Sequence, residues 1–300
     1  WWFGYRDPAE HPRLTAADYA VAAAMNLLWG LNIIATKYVV GATGPFMAGA
    51  VRFGALGLIC LPWLRPIPGK TRLLFLLGVT NGGLFLLFMN MALGIATNVG
   101  ALAIAGQLSV PISVLMGVLF LRERISPVRI GGLVLAFAGV ATIVFDPRIA
   151  GEIPGMLLMI CAATCFATGS LLQRRLAGTP IMTIYGWTGA VGFLMLLPLS
   201  LAVEPEAPQR VLHMAWQTAG WFAFSVLGST LIGQGGMPCM LSRPPRSAVM
   251  PLTLLATVVS VLASHWLLGT PVTLLMVLGG LMTLAGVAVV TLAGVRQAAR

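Results

Sequence analysis

Residues 98–127 read NVGALAIAGQLSVPISVLMGVLFLRERISP, and this stretch decides the fold. More than twenty uncharged, mostly apolar residues run on until Arg122, Glu123 and Arg124 stop them. A helix rises 1.5 Å per residue, so about twenty apolar residues cross a hydrocarbon core, and a membrane span is expected here. The stretch also carries Gln107, Ser109 and Pro111. Hydrocarbon tolerates a proline and an amide only where neighbouring helices or a watered cavity satisfy the freed polar groups. Part of this helix is therefore expected to face protein or a cavity.

The same character extends along the chain. Its 300 residues are 58% hydrophobic and 9% charged, with a mean hydropathy of +0.94. No water-soluble domain hides that much apolar surface, which leaves an all-α integral membrane protein. Behind a short tail (1–15), spans are expected at 17–40, 45–64, 72–93, 98–121 and 128–145. A second set follows at 153–172, 180–202, 214–241, 247–268 and 271–295, which makes ten transmembrane helices joined by short connectors. The net charge of +10 would suggest a nucleic-acid partner in a soluble protein. Here the basic residues sit in short loops, so topology accounts for them and no nucleic acid is implied. Fourteen of the eighteen Lys and Arg residues fall on one side of the alternating spans. The other side carries Arg148 and Arg210, while Lys37 and Arg52 lie within spans. By the positive-inside rule both termini are expected in the cytoplasm.

An internal repeat is visible. GGLVLAFAGV from Gly131 is echoed by GGLMTLAGV from Gly279, and Pro45-Phe-Met-Ala by Pro180-Ile-Met-Thr. Each match is five spans apart, an odd number, so the two halves are expected to be inverted relative to one another, an arrangement common in secondary transporters. Glycines seven apart in the fifth and tenth spans (Gly132 and Gly139, Gly279 and Gly286) predict a smooth seam for close helix packing.

Few residues offer chemistry. All eight carboxylates lie in tails, loops or span ends, so no titrating acid is expected on a transport path, and obligatory proton coupling is not expected. Paired catalytic acids, a nucleophile with its base, and a metal-ligand cluster are missing, which argues against an enzyme, a metal or a cofactor. Cys161 and Cys165 read as small packing residues. What remains is polar and neutral, apart from Arg52. Seven residues past Pro45, Arg52 lies roughly 10 Å below one surface, where a cation needs a partner. It either binds an anionic group of a substrate or braces helices. Trp187 lies seven residues past Pro180, and Trp29 lies near mid-membrane with Asn32 on its face. Thr257 and Ser260 belong to a hydroxyl face, and Asn81, Gln107 and Gln234 are mid-span amides. Together Trp29, Asn32, Arg52, Asn81, Gln107, Trp187, Gln234, Thr257 and Ser260 are expected to bind a small-molecule substrate. Arg52 and Trp187, at mirrored depths, are expected to line its path on opposite sides of the membrane.

LLWGLNIIATKYV (27–39), PFMAGAVRF (45–53), the 107–111 segment with FLRERIS (120–126), and RSAVMPLTLLATVVSVL (246–262) resemble the EamA-type ten-span members of the drug/metabolite transporter superfamily. The nearest look is to amino-acid metabolite exporters. The resemblance implies two five-helix repeats, at 16–150 and 151–300, around a cavity lined by the first four spans of each half, with the fifth and tenth packing behind. It further implies a multi-pass transporter of the inner membrane exporting amino acids or related compounds by alternating access, for which a monomer suffices. A nucleotide-sugar or drug carrier, or a passive channel, is the alternative. Two positions depart from the family pattern: Thr270 stands where Leu-Gly is commonly followed by Glu, and Gln234 interrupts a Gly-Tyr-Gly.

Overall fold

The structure, a computed structural model, describes residues 16–122, 125–234 and 254–298. Among these residues the regular structure is helical, with no strand. Apolar runs of this length close their backbone hydrogen bonds internally only as helices, because hydrocarbon offers no substitute partner. In chain order they are α1 (Ala16–Thr43), α2 (Pro45–Ile59), α3 (Thr71–Ile95), α4 (Val99–Phe120) and α5 (Pro127–Val144). Then come α6 (Ile153–Arg175), α7 (Ile181–Val203), α8 (216–234), α9 (Leu255–Leu268) and α10 (Leu274–Ala298). Among the described residues, seven helices are long and apolar enough to cross a membrane: α1, α3, α4, α5, α6, α7 and α10. The helices α2 and α9 are apolar but shorter. The tail 1–15 lies outside the described residues, as does the junction of the runs expected at 214–241 and 247–268.

Three helices depart from a uniform spiral. In α4 the α-helical segments Val99–Gly106 and Ser109–Leu121 meet at a turn through Gln107 and Leu108. Pro111 has no N–H for the Gln107 carbonyl, which instead accepts from Val110 N at 3.3 Å, so the break falls one turn before the proline. Both α3 (Gly78–Leu84) and α8 (Phe224–Gln234) contain a π-helical segment, a wider turn often found at functional sites.

Apolar side chains of α1, α3, α4, α5 and α6, among them Ile34, Leu93, Leu102, Ile143 and Met156, form the main buried cluster with Ala263 of α9 and Met276 and Val287 of α10. The outer surface is apolar as well: Leu119, Phe120, Leu194 and Leu281 are 61–75% exposed. So much unpartnered apolar surface marks a lipid-facing exterior. The most extensive packing joins α5 to α10 and α2 to α7, followed by α3 with α6 and with α7; α1 also packs with α9. Further contacts join α4 with α6, α1 with α8, and α4 with α9. The α5–α10 seam is glycine-built: a Cβ on Gly286 would lie 2.5 Å from Ala136 N and 2.6 Å from Gly132 O.

The bundle has two chemically distinct ends. Lys70 Nζ donates to Ala177 O at 2.9 Å, joining the α2–α3 and α6–α7 connectors and gathering Arg65, Arg72, Arg174 and Arg175 at a basic end. At the opposite end three carboxylates each hold the start of a helix. Glu204 accepts from Phe46 N (3.2 Å) and Met47 N (3.0 Å) at the start of α2. Glu152 accepts from Thr97 N, Asn98 N and the Thr97 hydroxyl at the start of α4. Asp146 accepts from the Thr273 hydroxyl before α10. A negative charge at a helix N-terminus meets unsatisfied N–H groups and the positive end of the dipole. Lys37 does the converse, donating to Leu93 O (2.7 Å) and Ala96 O (2.6 Å) at the C-terminus of α3.

Candidate functional site

A cavity of about 670 Å³ lies between α1, α2, α3, α4, α6, α7, α8 and α9. Among its described lining residues none comes from α5 or α10. The lining reaches the basic end at Leu77, Gln173 and Ile181, and stops toward the acidic end at Ile33, Met89, Leu102 and Met159. Much of it is apolar, including Phe85 and Phe166, whose rings meet with centroids 5.3 Å apart.

Polar side chains are stitched across this cavity. Arg52 Nη2, on α2, donates to Thr230 Oγ1 on α8 at 3.0 Å. The Thr230 hydroxyl donates to Ser225 O at 3.0 Å, five residues back, within the π-helical turn. The Ser225 hydroxyl in turn donates to Asn32 Oδ1 on α1 at 2.8 Å. Gln107 Nε2, freed at the α4 break, donates to the Thr257 hydroxyl on α9. Ser260 donates to Gly30 O at 3.0 Å, tying α9 to α1. Arg52 is 8% exposed, and its Nε and Nη1 have no hydrogen-bond partner among the described residues. Trp29 Nε1 and Asn81 Oδ1 are likewise buried without a partner among the described residues. Among the described lining residues there is no carboxylate and no histidine.

Of the nine residues singled out from the sequence, Trp29, Asn32, Arg52, Asn81, Gln107, Thr257 and Ser260 line this cavity. The side chain of Gln234 lies outside the described residues. Trp187 must be corrected: it is not in the cavity wall. Its indole donates to Arg65 O at 3.1 Å, and it packs against the buried cluster of Leu74, Leu77, Leu176 and Ile184 near the basic end. The reason is register. Pro45 is the first residue of α2, whereas Pro180 precedes α7 as its N-cap. Counting eight residues into each helix pairs Arg52 with Thr188, and Thr188 does line the cavity, on one helical face with Ile181, Ile184 and Tyr185. Ser229 and Thr230 also line it and were not singled out. Their signal was the four-residue step from Ser225 to Ser229, which a π-helical turn obscures in a 3.6-residue reading.

The other polar residues find local partners. Asn90 Nδ2 donates to Pro45 O at 2.9 Å, and Thr36 to Asn32 O at 2.7 Å. Ser264 and Thr270 share a hydrogen bond at 2.7 Å, so the position where the family pattern has Glu serves the acidic-end turn after α9. Asp146 is outside the spans. The Thr273 hydroxyl, and then the Arg148 N–H, hold its carboxyl below the usual carboxylate range.

The fold and the sequence have counterparts among known proteins. A crystal structure 21% identical in sequence superposes with a TM-score of 0.62, covering 92% of this chain and 96% of that one. A probable amino-acid metabolite efflux pump of Salmonella typhimurium is 23% identical over 91% of this chain and 94% of its own length. Protein PecM of Dickeya dadantii is 26% identical over 68% of this chain and 69% of its own. The profile of the EamA-like transporter family matches twice, at residues 18–145 and 153–292. The protein therefore belongs to the EamA-like transporter family, a family of membrane transporters and not of enzymes.

Proposed function

We propose that this protein is a secondary carrier that moves small polar or zwitterionic metabolites, amino acids or related compounds, out across a bacterial inner membrane by alternating access. The observation that carries the reading is the cavity: it reaches the basic end of the bundle and ends in the membrane's interior beside Arg52. With the basic end in the cytoplasm, both termini are cytoplasmic and the cavity faces the cytoplasm, where an exporter loads. A passive pore would instead need polar lining through to the acidic end. The name of the Salmonella relative, a probable amino-acid metabolite efflux pump, supports both cargo class and direction.

Ten spans in two inverted halves, 16–150 and 151–300, fit the packing. Exchanging α1 with α6, α2 with α7, and so on to α5 with α10 turns the α3–α6 contact into α8–α1 and the α1–α9 contact into α6–α4. It leaves α2–α7, α4–α9 and α5–α10 unchanged, and turns the extensive α3–α7 contact into the slighter α8–α2 contact. The two π-helical segments, in α3 and α8, are exchanged by the same operation. Substrate contacts are assigned to Trp29, Asn32, Arg52, Asn81, Gln107, Thr257 and Ser260, with Thr188 taking the place of Trp187. Counterflow in proteoliposomes tests the reading. A labelled amino-acid panel should show saturable flux accelerated by unlabelled cargo on the far side, persisting when the proton gradient is collapsed. Linear flux without trans-stimulation refutes a carrier.

A further inference from the structure

Taking the cavity as a carrier's binding site, we infer that its cargo is a net-anionic carboxylate, recognised by Arg52, with its nitrogen acylated rather than ionised. Arg52 is 8% exposed within the membrane span, its guanidinium hydrogen-bonds only the Thr230 hydroxyl among the described residues, and it faces no carboxylate among the described lining residues. A charge so placed needs a compensating charge, and here the cargo is positioned to bring it. The unsatisfied groups of the wall carry the same message. Three are donors, Arg52 Nε, Arg52 Nη1 and Trp29 Nε1, and one is an acceptor, Asn81 Oδ1. An acceptor-rich anion with a single N–H complements that set, and an N-acyl amino acid has both. A zwitterion satisfies Arg52 but brings a second charge and three donors to a wall offering only neutral oxygens. It also leaves the guanidinium and ammonium as a net positive charge in a low-dielectric interior. The ring pair of Phe85 and Phe166, with Leu86 and Met89, leaves an apolar side chain a place to sit.

The rival reading is a brace. A void of about 10 Å³, lined by Arg52, Thr36, Asn90 and Ser225, is the size of one water, which would bridge the guanidinium to Asn90 Oδ1. Equilibrium binding to the purified full chain decides between them, using N-acetylleucine, 4-methylpentanoate, leucine and leucinamide as a matched charge series. N-acetylleucine should bind at least about tenfold more tightly than leucine, 4-methylpentanoate should fall between them, and leucinamide should not bind. Arg52→Gln should weaken the two anions by roughly tenfold to a hundredfold. Arg52→Lys should be intermediate, because it keeps the charge but loses the fork. Should Arg52→Gln fail to fold, Asn81→Asp supplies the reverse test: a new negative charge in the wall should repel the anions and admit leucinamide. Leucine binding as well as N-acetylleucine, or a folded Arg52→Gln protein that binds all four as the parent does, overturns the inference and leaves the brace. The two readings fail separately. Trans-stimulated leucine counterflow without anion preference sinks this inference and spares the carrier. Arg52-dependent anion binding without trans-stimulated flux does the opposite.

Discussion

A single methyl group on Gly139 tests whether the α5–α10 seam holds the scaffold without touching the site. A Cβ built there would lie 2.5 Å from Gly279 O and from Thr283 N, and nearer still to the Thr283 hydroxyl. Ordinary contact begins near 3.4 Å, so the two backbones must part by roughly 0.9 Å. Overpacking of this kind costs about 1–3 kcal/mol. The methyl also displaces the Thr283 hydroxyl, which donates to Gly279 O at 2.8 Å, and a hydrogen bond of that type is worth about 1 kcal/mol. Gly139→Ala should therefore destabilise the protein by about 2–4 kcal/mol. Gly131, on the same helix, has nothing within 4 Å of its Cβ, so Gly131→Ala should be neutral or gain up to about 1 kcal/mol from helix propensity. Both variants should be compared by reversible unfolding in mixed micelles of rising SDS content. Ligand affinity of the folded fraction should be unchanged in both, because neither helix lines the cavity among the described residues. Equal unfolding midpoints for the two variants would refute the reasoning, since they make the same chemical change and differ only in what the methyl meets.

A methyl on Gly169 would lie 2.6 Å from Asn81 Nδ2, so Gly169→Ala should swing that amide aside and weaken binding of the cavity ligand; in an Asn81→Ala background it should add nothing, and additive losses would rule the coupling out. Trp187→Phe removes the bond to Arg65 O and should cost about 1 kcal/mol of stability while leaving ligand affinity unchanged, a change in affinity returning Trp187 to the cargo path. Because the Asp146 carboxyl is held below its ordinary value of about 3.9, its stabilising contribution is complete above that pH and declines as the pH falls through the lowered value. Asp146→Asn should thus lower the unfolding midpoint at neutral pH, and the gap from the parent should narrow toward pH 3; a constant gap counts against it. Cysteines at exposed Arg210 and Arg72 should react with an impermeant thiol reagent only from outside and only from inside the cell respectively, and the reverse pattern overturns the proposed orientation.

Helix positions were legible because hydrocarbon leaves apolar runs one way to satisfy their backbone. Pro45 marked the start of α2; at the head of α5, ahead of Pro127, Ser126 accepts from Arg129 N as an N-cap should. Pro111 announced a disturbance, but not that it would fall at Gln107. The mid-span amides Asn81 and Gln107 could be assigned to a cavity because a polar group there has few other fates. Trp187 could not, since its place depends on whether a proline counts as the first helical residue or the cap, and one residue turns a side chain by about 100°. Loop carboxylates such as Glu152 and Glu204 gave no sign of their role, because their partners are backbone N–H groups, which every residue but proline carries.

The grip of Glu204 on α2 bears on how the chain is made. The N–H groups of Phe46 and Met47 find their acceptor 158 and 157 residues later in the sequence. At about 5–20 residues per second, α2 leaves the ribosome roughly 8–30 s before its partner does. Ala256 N meets Asn26 across 230 residues, and Thr273 meets Asp146 across 127. During synthesis the first five helices thus wait as an unfinished assembly, and α2, only 15 residues long, has the weakest hold on the bilayer until α7 arrives. Each half carries the family's pattern, yet neither can finish its own rim, so the two copies mature as one cooperative unit.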